Sequence, residues 1–83
     1  MKIYKNKILG VYKVGKYKIG DRVNFNYEDG GEDEFKIEGF SDNGEEVYGI
    51  FFSDDCGGVI KFNWIFELVE DGKEMWDNVG GLD

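Results

Sequence analysis

Apolar side chains recur in this chain at every second position, in short runs broken by glycine, aspartate and asparagine, and up to residue 70 they do not keep helical spacing for the length of a helix. A strand turns alternate side chains to opposite faces, so this pattern predicts strands with one buried face. Tyr17, Ile19, Val23, Phe25 and Tyr27 lie on one such face, interrupted near Gly20-Asp21, after a looser run Ile8–Val14 and a turn at Gly15-Lys16. Glu28–Glu34, acidic and containing Gly30-Gly31, reads as a solvated loop, and Phe35, Ile37 and Gly39 resume the alternation. Asp42-Asn43-Gly44 predicts a two-residue hairpin turn, because Asn-Gly supplies the positive φ angles that such turns need. Val47–Phe52 is apolar enough for a central strand, with Gly49 marking a bend or a close backbone approach. A reversal at Asp54–Gly58, a returning strand through Val59, Ile60 and Phe62, one helical turn at Asn63-Trp64-Ile65 and a last strand Phe66–Val69 complete five or six strands.

The fold class is therefore mainly β. Eighty-three residues provide one core, loaded with seven Phe, five Tyr and two Trp. The expected division is one domain over 1–70 and a C-terminal tail over 71–83, where Met75, Trp76, Val79 and Leu82 would share one face of a short helix. No run reaches the roughly 18 apolar residues of a membrane helix, and Met1–Gly10 lacks the apolar core of a signal peptide, so the expected location is cytoplasmic, with no membrane partner. The single cysteine, Cys56, has no internal disulfide partner and sits beside Asp54 and Asp55, which disfavour its thiolate; a half-buried structural thiol is expected.

Ile19-Gly20-Asp21-Arg22-Val23 opening a strand, an acidic loop, three meandering strands and a single turn before a short last strand resemble the SH3-like barrel, including its small KOW-type and Tudor-like versions, over residues 17 to 70. The resemblance implies a single small SH3-like barrel of five to six strands, in which Asp21 bonds local amides. The tail beyond it is expected to fold back over an open end or to anchor in another protein. It carries no function, since small barrels host ligands of every kind. The Ala-Leu-Tyr-Asp-Tyr type signature of signalling SH3 domains is absent. Tyr48, Phe51, Phe52 and Trp64 would have to converge to form the aromatic cage of a methyl-lysine or methyl-arginine reader, and core positions are the expected alternative.

Chemistry finds little to work with. There is no histidine, and the two serines, Ser41 and Ser53, fall at turns, so neither a nucleophile nor a general base is prepared and no enzyme activity is expected. Neighbouring carboxylates on a strand face opposite ways and make poor acid–base pairs. Asp29–Glu34 departs from the spacing of the twelve-residue calcium loop, and no glycine-rich turn leads into a helix that would hold phosphate, so no metal or cofactor is expected.

Charge is the most informative remaining feature. Residues 1–20 carry six lysines and no acid, plus six; residues 21–83 carry four cations against eighteen acids, minus fourteen. Lys2, Lys5, Lys7, Lys13, Lys16 and Lys18, interleaved with Tyr4, Tyr12 and Tyr17, could follow a phosphate backbone, but a net charge of −8 and a single arginine argue against direct nucleic-acid binding. The opposite use of charge fits better: carboxylates displayed at both ends of a compact domain would occupy the basic groove of a nucleic-acid-binding protein as a mimic of phosphate. Glu28, Asp29, Glu32, Asp33, Glu34, Asp42, Glu45, Glu46, Asp54 and Asp55 are the residues expected to do so. The lysine- and asparagine-rich, proline-free composition is similar to that of small phage or mobile-element proteins of low-GC bacteria, which implies a host defence nuclease as target and an inhibitor of anti-CRISPR or anti-restriction type. The competing expectation is a protein-interaction adaptor that binds through an edge strand or Trp76, its acidity serving only solubility.

Overall fold

The alternating runs do become strands. A computed structural model describes residues 2–8 and 10–72, with eight strands: β1 (Ile3–Asn6), β2 (Gly10–Val14), β3 (Tyr17–Lys18), β4 (Arg22–Asn26), β5 (Glu32–Phe40), β6 (Glu46–Phe51), β7 (Cys56–Lys61) and, after a 3-10 turn at Phe62–Trp64, β8 (Ile65–Glu70). All pair antiparallel, in a three-stranded sheet ordered β1-β2-β3 and a five-stranded sheet ordered β7-β6-β5-β4-β8. In place of one ring of five or six strands, the ladders among the described residues form two sheets with open edges. No helix among these residues is long and apolar enough to cross a membrane. The expected helix over Met75, Trp76, Val79 and Leu82 lies outside the described residues.

Two features account for the extra strands. The β1–β2 hairpin turns after Asn6, whose Oδ1 takes the Ile8 N–H at 3.0 Å, and a register shift between Tyr4 and Lys5 breaks the alternation that would have revealed it. The run Tyr17–Tyr27 belongs to both sheets: β3 ends at Lys18, the chain crosses at Ile19–Asp21, and β4 starts at Arg22. Alternation survives the crossing because Tyr17, Ile19, Val23 and Phe25 all face the shared core. Backbone bonds stitch the crossing in place, with Ile19 N–H on the Tyr12 carbonyl (3.0 Å), Gly20 N–H on Ile37 (2.8 Å) and Ile37 N–H on Asp21 (2.9 Å).

Asp21 is the buried polar hub of that crossing, with no exposed surface. Its carboxylate accepts the Lys18 backbone N–H and Lys18 Nζ, each at 3.0 Å, and the Gly72 N–H at 2.8 Å. It thereby ties the exit of the last strand to the entry of β4, since a buried carboxylate must find several donors.

The core gathers Val11, Tyr12, Val14 and Tyr17 from the small sheet against Val23, Phe25, Phe35, Ile37, Phe40, Val47 and Ile60 from the large one. Phe25 is central: its ring lies 4.9 Å from that of Tyr27, 5.8 Å from Phe35, 5.9 Å from Phe51 and 6.3 Å from Trp64. Gly49 makes the expected close approach, since a Cβ there would overlap the Lys36 carbonyl oxygen and lie 2.7 Å from the Phe35 ring.

The turn between β5 and β6 corrects the two-residue expectation. Ser41 N–H bonds the Glu46 carbonyl at 2.9 Å, so Asp42–Glu45 form a four-residue connection. Gly44 N–H bonds the Ser41 carbonyl at 2.9 Å, and Gly44 takes positive φ (+74°) while Asn43 does not. The Asn43 side chain braces the turn, its Oδ1 accepting from Ser41 Oγ (2.7 Å) and the Glu45 N–H (3.0 Å). The expected loop Glu28–Glu34 is also shorter, because Glu32, Asp33 and Glu34 begin β5, where outward positions tolerate charge. Cys56, expected half-buried, is exposed at the start of the edge strand β7.

Candidate functional site

Strand alternation sorts the expected acidic residues by end. The β4–β5 and β6–β7 connections fall at one end of the large sheet and the β5–β6 turn at the other. Glu28, Asp29, Glu32, Asp33, Glu34, Asp54 and Asp55 therefore gather at the first end, and Asp42, Glu45 and Glu46 at the second. With β5 nine residues long and rising about 3.4 Å per residue, the two groups stand about 27 Å apart.

At the first end the connection after β4 closes tightly, with Tyr27 N–H on the Gly31 carbonyl (2.7 Å) and Gly30 N–H on Tyr27 (3.0 Å). Asp29 turns its carboxylate back to the Gly31 N–H at 3.3 Å. Asp33 joins this connection to the next, accepting from Tyr27 Oη at 3.2 Å, Ser53 Oγ at 2.6 Å and the Glu34 N–H at 2.7 Å. Burial pushes the Asp33 carboxyl upward, but the bonds from Ser53, the Glu34 amide and Tyr27 outweigh it and hold the group below the ordinary aspartate value. The Tyr27 hydroxyl is pushed above its ordinary value, first by burial, then by the charge of Asp33 and the bond to it, and further by Asp54 and Asp29. These carboxylates thus share one field around Tyr27. In the β6–β7 connection Asp54 Oδ1 accepts the Cys56 N–H at 3.1 Å, and Asp55 adopts a left-handed φ of 58°, a conformation that aspartate tolerates.

Two of the expected residues already serve the fold. Asp33 is the staple just described, and Glu34 is held by Arg22 through Nε (2.7 Å) and Nη2. Arg22 also reaches Glu70 at 3.4 Å and stacks on Phe52 with its guanidinium carbon 4.7 Å from the ring centre. The other eight, Glu28, Asp29, Glu32, Asp42, Glu45, Glu46, Asp54 and Asp55, are exposed, and none of them is in an ion pair among the described residues. Trp76 lies outside the described residues.

Among the described residues the basic segment is only partly neutralised. Lys18 pairs with Asp21 and Asp71, whereas Lys13 and Lys16 lie over the rings of Tyr4 (5.0 Å) and Tyr17 (5.3 Å). The four rings considered for a cage do not converge, and they are not all core: Phe51 and Trp64 pack against the core, while Tyr48 and Phe52 are 41% and 44% exposed. Tyr48 points away from the core, opposite Val59 on β7. Among the described residues no three His, Cys, Asp or Glu side chains are placed to hold a metal ion.

Sequence reasoning missed Arg22 as the cation that neutralises Glu34, and the Tyr27–Asp33–Ser53 staple. No local pattern reveals either, because each joins residues of different strands or connections. Beside the second acidic group lies an open cleft of about 570 Å3 lined by Asn43, Glu45, Glu46, Lys61, Phe62 and Asn63. Comparison with protein-family models, with curated proteins and with solved structures finds no match to this chain.

Proposed function

We propose that this chain is a binding protein without catalytic chemistry, whose exposed carboxylates enter the basic groove of a nucleic-acid-binding protein in place of phosphates. The observation that carries this reading is the set of eight exposed carboxylates at the two ends of one sheet, none of them in an ion pair among the described residues. A hydrogen-bonded sheet keeps their separation, about 27 Å by strand rise, without ordering a flexible chain on binding. Clefts lined by one sign of charge attract the complementary surface over long range. The order of β4 to β8 supports an SH3-like reading of the large sheet: a four-strand meander, one 3-10 turn, and a fifth strand returning beside the first. A defence nuclease as the partner, and an origin in a phage or mobile element, rest on composition.

The test is affinity capture of the tagged chain from host lysate, washed at low and high salt and challenged with excess double-stranded DNA. A mimic releases its partner as the Debye length falls from about 8 Å at 0.15 M to about 3 Å at 1 M salt. DNA displaces it as well. A partner that survives both treatments refutes the reading.

One observation favours the adaptor as a second reading. Among the described residues β8 is the outermost strand of its sheet, and Phe66, Leu68 and Val69 on it are 48%, 39% and 43% exposed. A free apolar edge accepts an added strand through its backbone groups, and such binding resists salt.

A further inference from the structure

The cleft beside the β5–β6 turn is built differently from the acidic loops at the other end. Its lining includes half-buried Phe62, whose ring is held edge-on against Tyr17 with centroids 5.7 Å apart. Its lining also includes Glu45 and Glu46, whose backbone is held by three hydrogen bonds. Phe62 N–H bonds the Glu45 carbonyl at 2.8 Å, Ser41 N–H bonds the Glu46 carbonyl at 2.9 Å, and Glu46 N–H bonds Ser41 Oγ at 3.0 Å. Asn43 spends its side-chain oxygen on the turn, which leaves its amide N–H groups as further polar lining. Lys61 is the one cation in the lining, directly opposite Glu46 in the ladder, against Glu45, Glu46 and the adjacent Asp42.

An anion is repelled by such a lining, and an apolar group would bury carboxylates without a partner. A planar cation meets both surfaces: it stacks on a ring and donates two-pronged hydrogen bonds to carboxylates. A guanidinium does this with a smaller loss of hydration than an ammonium. The cleft is open to solvent, which suits a side chain delivered by a macromolecule more than a small free ligand.

We infer that this cleft seats an arginine side chain of the partner, its guanidinium lying on Phe62 between Glu45 and Glu46. The inference rests on the proposed reading that the partner's groove is basic, and it names the side chain which that groove inserts. Lys61 is then a built-in competitor that weakens the site.

The experiment follows backbone amide signals of the full chain by nuclear magnetic resonance during titration with N-acetyl-arginine-methylamide and, separately, N-acetyl-lysine-methylamide. Saturable shifts are expected at the amides of residues 43–46 and 61–63, stronger for arginine than for lysine. Combined Glu45→Gln and Glu46→Gln should weaken arginine binding about fivefold, as the loss of exposed charge pairs allows. Lys61→Met should tighten it, which a purely structural role for Lys61 does not predict. Shifts centred on residues 27–31 and 52–55, equal response to lysine, or no gain from Lys61→Met would each overturn the inference. If arginine maps to the cleft while captured partners ignore salt and DNA, the site stands without the mimic. If DNA displaces the partner but arginine does not map there, the mimic stands and this inference fails.

Discussion

Replacing Asp21 by alanine tests whether one buried carboxylate holds the two sheets and the last strand in register. Three donors converge on it: the Lys18 N–H, Lys18 Nζ and the Gly72 N–H, at 2.8 to 3.0 Å, and the residue has no exposed surface. The alanine variant leaves two backbone N–H groups without an acceptor, at about 1–3 kcal/mol for each that stays dry. It also removes one counter-charge of Lys18, which keeps Asp71, so the full 3–5 kcal/mol of a broken buried pair does not apply. A loss of about 3 kcal/mol follows from these terms. A domain of this size has roughly 4–12 kcal/mol in total, so the variant gives up a quarter or more of its stability. The midpoint of thermal unfolding should fall by about 12–24 °C, at about 4–8 °C per kcal/mol. Urea unfolding followed by tryptophan fluorescence measures the loss directly, and an unchanged m-value shows that it is stability that moved. Asp21→Asn, which keeps one acceptor oxygen, should fall between wild type and alanine. A loss below about 1 kcal/mol for alanine, the worth of one ordinary hydrogen bond, would refute the hub.

Gly49→Ala should abolish the native circular dichroism spectrum or destabilise the chain by more than about 3 kcal/mol, because the added Cβ overlaps the Lys36 carbonyl between two paired central strands. Gly57→Ala, where the nearest atom would be 3.8 Å away, should stay within about 1 kcal/mol of wild type in the same measurement. Phe25→Ala should cost about 3–5 kcal/mol in urea titration, since a fully buried ring touching four others leaves a cavity. Asp33 has a folded pKa below its unfolded value, so its stabilisation is complete above the unfolded value of about 3.9 and is lost as pH falls through the folded one. Asp33→Asn should therefore lower stability at neutral pH and flatten its fall below about pH 4, which stability curves recorded from pH 2 to 7 would reveal.

Much of the large sheet was legible because its cues are local. Phe35 and Ile37 alternate inward on β5, Asp42–Gly44 forces a reversal, Gly49 admits a neighbouring backbone, and Asn63-Trp64 makes a single tight turn, each decided by a few adjacent residues. The distribution of acids to two ends followed from the same turns. Where readings went astray, the deciding partner was distant in sequence. Asn43-Gly44 carries the chemistry of a two-residue turn, yet the Ser41–Glu46 backbone bond set a longer one. Glu32–Glu34 read as loop but extended the β5 ladder against β4. Cys56, Tyr48 and Phe52 came out exposed because edge position, strand face and a place in the β6–β7 connection, rather than residue type, set their exposure.

By itself the sequence determined the class of structure and the sign of its surface, because side-chain alternation, turn chemistry and formal charge are properties of short segments. Tertiary structure decided that Tyr17–Tyr27 divides between two sheets, that β8 returns to β4, and that Asp21, Asp33 and Glu34 are engaged within the fold while eight other expected carboxylates remain exposed. Those outcomes depend on which strands meet, and strand pairing is settled by the global fit of one buried core.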